Sequence, residues 1–324
     1  MLRLHHVVSD GSSGVLAMRD LLSFLQPTEL ASVEPLPSPG QESFFPSSHA
    51  QTRAQFLEAA QSSGGAPAAP SEPILRLARF ERPALSERRA RVSEIRLDDE
   101  DSARLASRAR RDSATVHGVL NAALALSVAD EVGQRALQRI SHPVDLRRYL
   151  RECDPAAPAI GDLVGYYVSG VTTEHSVAPK QPLGELARAI TAAVRAGKAA
   201  GDPLTSAPLR GPFLVEKTRG MPLDAFRELA EQKLFTNTFG ITNLGPLEKL
   251  GVAKQVGELQ VEDFYFVAAS SVMGQFGGSA VSFAGRISLH LNAVEPLVAP
   301  EVLQRVADRT RTALLAYARD SDAT

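Results

Sequence analysis

Tryptophan is absent from the 324 residues and cysteine occurs once, at Cys153. A single cysteine excludes a disulfide framework within the chain and fits a reducing compartment. Its setting, Arg151-Glu152-Cys153-Asp154-Pro155, has no neighbouring histidine, so no nucleophilic role is expected for it. Long apolar runs are also missing, and the N-terminus lacks the basic-then-apolar pattern of a signal peptide. The chain is therefore read as cytoplasmic and without a membrane span. An excess of one charge is absent too: 35 basic residues face 37 acidic ones, for a formal net charge of −2. Such a balance offers no field to hold a phosphate backbone or an anionic bilayer, and nucleic acid is not an expected partner. The arginine clusters at 88–91 and 108–111 alternate with acidic or small residues, as solvated faces do. Neither paired cysteines nor an H-E-x-x-H or H-x-x-x-H spacing occurs, and no serine nucleophile elbow is present.

What is there suits a globular protein of two domains or one large two-lobed unit, with 44% apolar and 22% charged residues. Leu2 to Val8 reads as a short strand, Ser9 to Gly14 as a turn or helix start, and Val15 to Leu25 as a helix ending before Pro27. From about 32 to 73 the chain is rich in Pro, Ser, Gly and Ala and reads as a linker, with a helical island near 50–60. Residues 1–90 are thus expected to hold the remainder of an N-terminal lobe plus this linker, and 91–324 a C-terminal lobe.

In that second part a strand is predicted over Arg91–Leu97 and a helix with an acidic first turn from Asp98 to about Arg111. A buried helix follows over Thr115–Ala129, capped by Ser113 or Thr115, then a strand over Ile140–Val144. Strand character recurs at 163–173, 235–244, 264–270 and 280–292, with a helix after Pro182 through about Lys198 and another over Val302–Tyr317. The order favours an α+β fold with mixed sheets and flanking helices.

The chemistry concentrates in His5-His6-Val7-Val8-Ser9-Asp10-Gly11. On a strand the two histidines point to opposite faces, which disfavours joint ligation of one metal. A neutral imidazole at a strand end, followed by an Asp-Gly turn, is suited to removing a proton from an alcohol or amine.

The string HHVVSDG resembles the HHxxxDG signature of the chloramphenicol-acetyltransferase-like superfamily, which includes condensation domains, wax-ester synthases and polyketide-associated O-acyltransferases. Pro143-Val144-Asp145-Leu146-Arg147 resembles the family's P-V-x-L-R segment, Val164-Gly165-Tyr166-Tyr167-Val168 its V-G-x-F-V segment, and Ile241-Thr242-Asn243-Leu244-Gly245-Pro246 the S-N-x-G-P segment of stand-alone members. The resemblance implies a two-lobed fold whose first lobe is incomplete, since relatives carry half of that lobe ahead of the motif and here only four residues precede His5. It implies His6 as the catalytic base, His5 in support, Asp10 as a structural residue, and Gly11 as the residue that permits the turn. It further implies an Asp10–Arg147 ion pair, with Arg148 the second choice, and Asn243 near the reacting centre as an orienting or oxyanion-stabilising amide. An asparagine bonding its own turn is the alternative for Asn243. Tyr166, Tyr167, Thr242 and Gly245 are implied to line the substrate tunnel.

The implied reaction is direct acyl transfer from a thioester of coenzyme A or an acyl carrier protein to a hydroxyl or amine, without a cofactor, in secondary or lipid metabolism. A non-catalytic condensation-like module that binds a carrier protein or a partner enzyme is the competing expectation. A metal-dependent hydrolase using His5, His6 and Asp10 is a third.

Overall fold

The computed structural model describes residues 1–25, 40, 72–77, 83–149, 163–201, 203, 216–230, 236–268 and 276–320. Cys153, the helical island near 50–60 and nearly all of the expected linker lie outside the described residues. The elements are α1 (Gly11–Ser23), β1 (Arg89–Leu97), α2 (Asp99–Arg111), α3 (Val116–Val132), β2 (Ala136–Asp145), β3 (Val168–Val177), α4 (Leu183–Ala199), α5 (Leu223–Leu229), β4 (Phe239–Pro246), β5 (Gln255–Val256), β6 (Leu259–Gln260), β7 (Gly277–Phe283), β8 (Arg286–Glu295) and α6 (Pro300–Arg319). The fold is α+β, with six strands ordered β1-β8-β7-β4-β2-β3 in one mixed sheet. β4 runs parallel to both β2 and β7, and the outer pairings are antiparallel.

Helices α2, α3, α4 and α6 cover one face of that sheet. α3 is apolar nearly all round its axis, and every residue from Gly118 to Ala129 is buried between the sheet and its neighbouring helices. The Thr115 hydroxyl caps its start by accepting from the Gly118 amide, and Gly133 ends it in the left-handed conformation. α6 instead carries an apolar stripe of Leu303, Val306, Ala307, Thr310, Leu314 and Tyr317. Each aliphatic side chain fully buried in this way contributes about 1.5–3 kcal/mol relative to exposure. α2 is fastened to the far end of α6 where Arg319 donates twice to Asp101, at 2.8 and 2.6 Å.

The opposite face of the sheet carries a smaller apolar cluster in which Val15 of α1 packs with Leu247, Val252, Val281 and Phe283. α1 thus docks on the side opposite those helices, beside β4 and the 3-10 turn Leu247–Leu250. Among the described residues no helix is long and apolar enough to cross a membrane.

Three strand predictions need correction. Leu2 to Val8 forms no strand: residues 6–8 are a turn, and all eight opening residues are exposed. An apolar run makes a strand only when a partner ladder takes up its backbone groups, and among the described residues no strand of the sheet runs alongside this one. The single strand predicted over 280–292 is the hairpin β7–β8, turning at Ala284 and Gly285 with φ of 51° and 85°. Ala-Gly is a weak hairpin signal, so the apolar alternation continues through it without a break in the sequence. Over 264–268 the chain lies outside any named strand, and 269–270 are outside the described residues.

Candidate active site

Asp10 organises the site. Its Oδ1 accepts from the Ser13 amide at 2.8 Å and caps α1, while Oδ2 accepts from the Tyr167 amide at 2.8 Å. Arg147 grips both carboxylate oxygens, Nη1 to Oδ2 at 2.9 Å and Nη2 to Oδ1 at 3.2 Å. The two side chains are only 6% and 5% exposed, so this bidentate pair stands in a poorly hydrated setting where geometry matters most. Arg147 spends its remaining donors on Ser13 Oγ at 2.8 Å, the Leu163 carbonyl at 2.9 Å and Asp145 at 3.1 Å. Asp145 in turn accepts from Ser12 Oγ at 2.9 Å. The end of β2 therefore holds the start of α1 at several points. Arg148, the second choice for this role, lies exposed.

Gly165 completes the clamp from the other side. Its amide donates to Ser13 Oγ, and its carbonyl accepts from Ser13 Oγ and from the Asp10 amide. A Cβ at this position would come within 2.6 Å of the Tyr167 ring, so only glycine lets that ring fold back under Arg147, whose guanidinium carbon lies 4.8 Å from the ring centre. Gly11 is the first residue of α1, and a Cβ there would stand 3.2 Å from Leu244 and 3.5 Å from Phe266. Close packing against the β4 end, rather than turn conformation, is what suits glycine at this position.

Held by this clamp, the turn presents His5 and His6. The His6 Nδ1 lies 2.7 Å from the Ser9 carbonyl oxygen. That oxygen can only accept, so the ring proton sits on Nδ1 and a neutral His6 keeps its lone pair on Nε2. His5 has the other tautomer, because its Nδ1 accepts from the Val7 amide at 3.2 Å. The turn is closed by the Val8 amide and Ser9 hydroxyl, both donating to the His5 carbonyl. Because His5 and His6 occupy a turn, the strand argument against joint metal ligation does not apply to them. Among the described residues, no three His, Cys, Asp or Glu side chains converge as metal ligands.

Tyr166 is the aromatic neighbour of His6, with ring centres 5.4 Å apart. Burial, and then the charge of Asp10, hold its hydroxyl above the ordinary phenol value, which keeps it a hydrogen-bond donor. Tyr167 is fully buried under Arg147 and takes no part in an open wall. Asn243 uses its Oδ1 to accept from the Gly245 amide at 2.9 Å, Gly245 having a φ of 69°. It bonds its own turn, and Nδ2 remains as its donor group. No hydrogen bond joins Asn243 to His6 among the described residues; their segments meet where α1 packs beside β4. Thr242 lies in β4 beside Ser279 of β7.

Ser9, Ser12, Ser13 and Asp145 belong to this network and were not singled out as site residues in the sequence. Ser12 and Ser13 carried a signal as polar residues opening a helix directly after the motif aspartate.

Residues 86–292 match the family model described as phthiocerol/phthiodiolone dimycocerosyl transferase C-terminus. No curated protein matches the chain. Among solved structures, polyketide synthase associated protein 5 from Mycobacterium tuberculosis is 18% identical with a TM-score of 0.61, over 98% of this chain and 73% of its own. Trichothecene 15-O-acetyltransferase from Fusarium sporotrichioides is 12% identical with a TM-score of 0.63, over 95% of this chain and 64% of its own. The EpoB NRPS cyclization-docking bidomain from Sorangium cellulosum is 18% identical with a TM-score of 0.61, over 97% of this chain and 59% of its own.

Proposed function

The chain belongs to the phthiocerol/phthiodiolone dimycocerosyl transferase C-terminus family and has the fold of condensation-domain and chloramphenicol-acetyltransferase-like acyltransferases, and from that premise we propose that it transfers an acyl group from a thioester to a hydroxyl or amine with His6 as general base. The observation that carries the proposal is the His6 tautomer: Nδ1 is committed to the Ser9 carbonyl, and Nε2 is left with the lone pair a base needs. Nε2 takes the proton of the acceptor as its oxygen or nitrogen attacks the thioester carbonyl. The tetrahedral oxyanion then collapses, the carbon–sulfur bond breaks, and the departing thiolate recovers that proton from His6. The Asn243 Nδ2 and the Tyr166 hydroxyl are the donors proposed to serve the oxyanion or to orient the acceptor.

His5, Asp10, Gly11 and Arg147 hold the turn that aims His6, Tyr167 packs beneath Arg147, and Thr242 and Gly245 support the walls. The donor is an acyl-CoA or an acyl carrier protein thioester, and the acceptor a small or carrier-bound alcohol or amine of secondary metabolism. The reaction has no covalent enzyme intermediate and no cofactor step.

The test incubates the purified chain with acetyl-, octanoyl- and palmitoyl-CoA and with carrier-bound acyl groups, against primary alcohols and amines. Products are read by mass spectrometry and thiol release. A new ester or amide is expected, and its absence with every pair overturns the proposal in favour of a non-catalytic binding module.

A further inference from the structure

Three of the seven histidines in the chain lie in one hydrogen-bonded run outside the site described above. His117 Nε2 on α3 is 2.9 Å from His142 Nδ1 on β2, and His142 Nε2 is 2.8 Å from Thr173 Oγ1 on β3. His175 Nε2 approaches the same hydroxyl at 3.0 Å. Asn121, one turn along α3, donates to the His117 carbonyl at 2.7 Å. With neutral rings each contact has one donor and one acceptor, so the run is satisfied from end to end.

Its place in the fold gives it a task. β2 pairs with β4 only at Ile140 and Ser141. Among the described residues, β2 from His142 onward has a neighbouring strand on one side alone, β3, and Pro143 has no amide to give. His142 is therefore the side-chain tie that fixes this end of β2 to α3. Three residues later comes Asp145, which receives Ser12, and five later Arg147, which grips Asp10.

We propose that His117, His142 and Thr173 form a positioning chain for the clamp on the His6 turn, and that it holds only while its imidazoles are uncharged, so acid loosens the clamp before it unfolds the rest of the fold. The consequence for catalysis rests on the reading of His6 as base; the structural coupling does not.

The surroundings are basic. Burial first, and then the charge of Lys198 on α4, push His117 down to about 4. Burial first, and then His117, His175 and Lys198, push His142 down to about 3. Burial also lowers His175. The charged group facing the run from α4 is Lys198, itself lowered by burial and then by Arg148 beyond the end of β2. β3 contributes His175, and the carboxylate of its Glu174 is engaged by Arg139 on the neighbouring strand at 2.5 Å. Nothing in this set welcomes a proton. An imidazole of ordinary pKa near 6.5, released from the run at pH 5, is favoured in its charged form by about 30-fold.

The experiment is amide hydrogen exchange of the whole chain between about pH 7.5 and pH 5, with rates corrected for intrinsic pH dependence. It compares the Tyr167 and Leu146 amides, which donate to Asp10 and to the Tyr167 carbonyl, with amides in the middle of α6. Protection at Tyr167 and Leu146 is expected to fall by about 10-fold or more and to lie below that of α6 at pH 5, because α6 exchanges only through opening of the whole fold. In the His117→Gln/His142→Gln double variant the fall at Tyr167 disappears.

Unchanged protection in the wild type, protection at Tyr167 and Leu146 no lower than that of α6 at pH 5, or the same fall in a folded double variant each overturns the proposal. Lys198→Gln, in the last turn of α4, gives a second measurement independent of the double variant's folding. Removing that positive charge lets the closed run accept a proton more readily, so the fall in protection on acidification shrinks, and a fall that grows instead counts against the chain. Failure of acyl transfer in the wild type contradicts the proposed reaction and leaves these exchange rates where they are.

Discussion

Replacing Arg147 with alanine removes the cation from a carboxylate that is only 5% exposed. The variant also takes a donor away from Ser13 Oγ and two from the Leu163 carbonyl. Breaking a buried pair by deleting one partner costs about 3–5 kcal/mol, because the other charge stays behind without compensation. Asp10 keeps the amides of Ser13 and Tyr167 as donors, which places the expected loss near the lower end, about 3 kcal/mol. A change of that size shifts the folding equilibrium by roughly 150-fold.

Urea unfolding followed by far-ultraviolet circular dichroism measures it, and suits a chain without tryptophan. Asp10→Ala and the double variant close a thermodynamic cycle, with an expected coupling of about 1.5 kcal/mol or more. Arg147→Lys, which keeps the charge and loses the fork, falls between wild type and alanine. A loss below about 1 kcal/mol, or additive single variants, refutes the claim that this pair fixes the site.

Acidification tests the buried histidines in the fold as a whole. With His142 held at about 3, the unfolded chain binds a proton below about pH 6.5 that the folded chain refuses, so stability is full above that pH and declines as pH falls toward the folded value. At pH 5 His142 alone accounts for about 2 kcal/mol, and urea midpoints at pH 5 and 7 check it; a flat profile contradicts it. Gly118→Ala is expected to destabilise by about 1–3 kcal/mol or more, because the new Cβ would lie 2.2 Å from Thr191 Oγ1 and 2.8 Å from the Ala187 carbonyl across the α3–α4 contact; thermal unfolding reads it, and an unchanged midpoint removes the argument. Asn243→Ala deletes the acceptor for the Gly245 amide and is expected to lower transfer by about 10-fold or more with a stability loss of about 1 kcal/mol. A stability loss with unchanged turnover would assign Asn243 to its turn alone.

How much of this was legible in the sequence varies with the kind of signal. Helices were readable because their apolar content and end signals agree: Thr115 caps α3, which is apolar nearly all round, while Asp98 caps α2 and Pro300 opens α6, each adjoining a one-sided apolar stripe. Asp10 and Arg147 could be paired only through the family resemblance, since 137 residues separate them. The residues binding that pair to its surroundings, Ser13 and the carbonyls of Leu163 and Gly165, act largely through backbone groups whose positions no residue type announces. The opening residues misled for a related reason. Apolar character at Leu2, Leu4, Val7 and Val8 suits a strand, but these side chains are exposed and their backbone has no ladder to join. The His117–His142 contact was invisible because the rings come from a helix and a strand that meet only in the folded core.

The central claim is that His6 Nε2 takes the acceptor's proton. Its most direct test is the transfer rate of His6→Ala against wild type, with the same thioester and acceptor, in protein whose circular dichroism is unchanged. General-base catalysis predicts a loss of about 10²–10⁴-fold, with the weak background reaction remaining. A variant that transfers acyl groups as fast as wild type contradicts it.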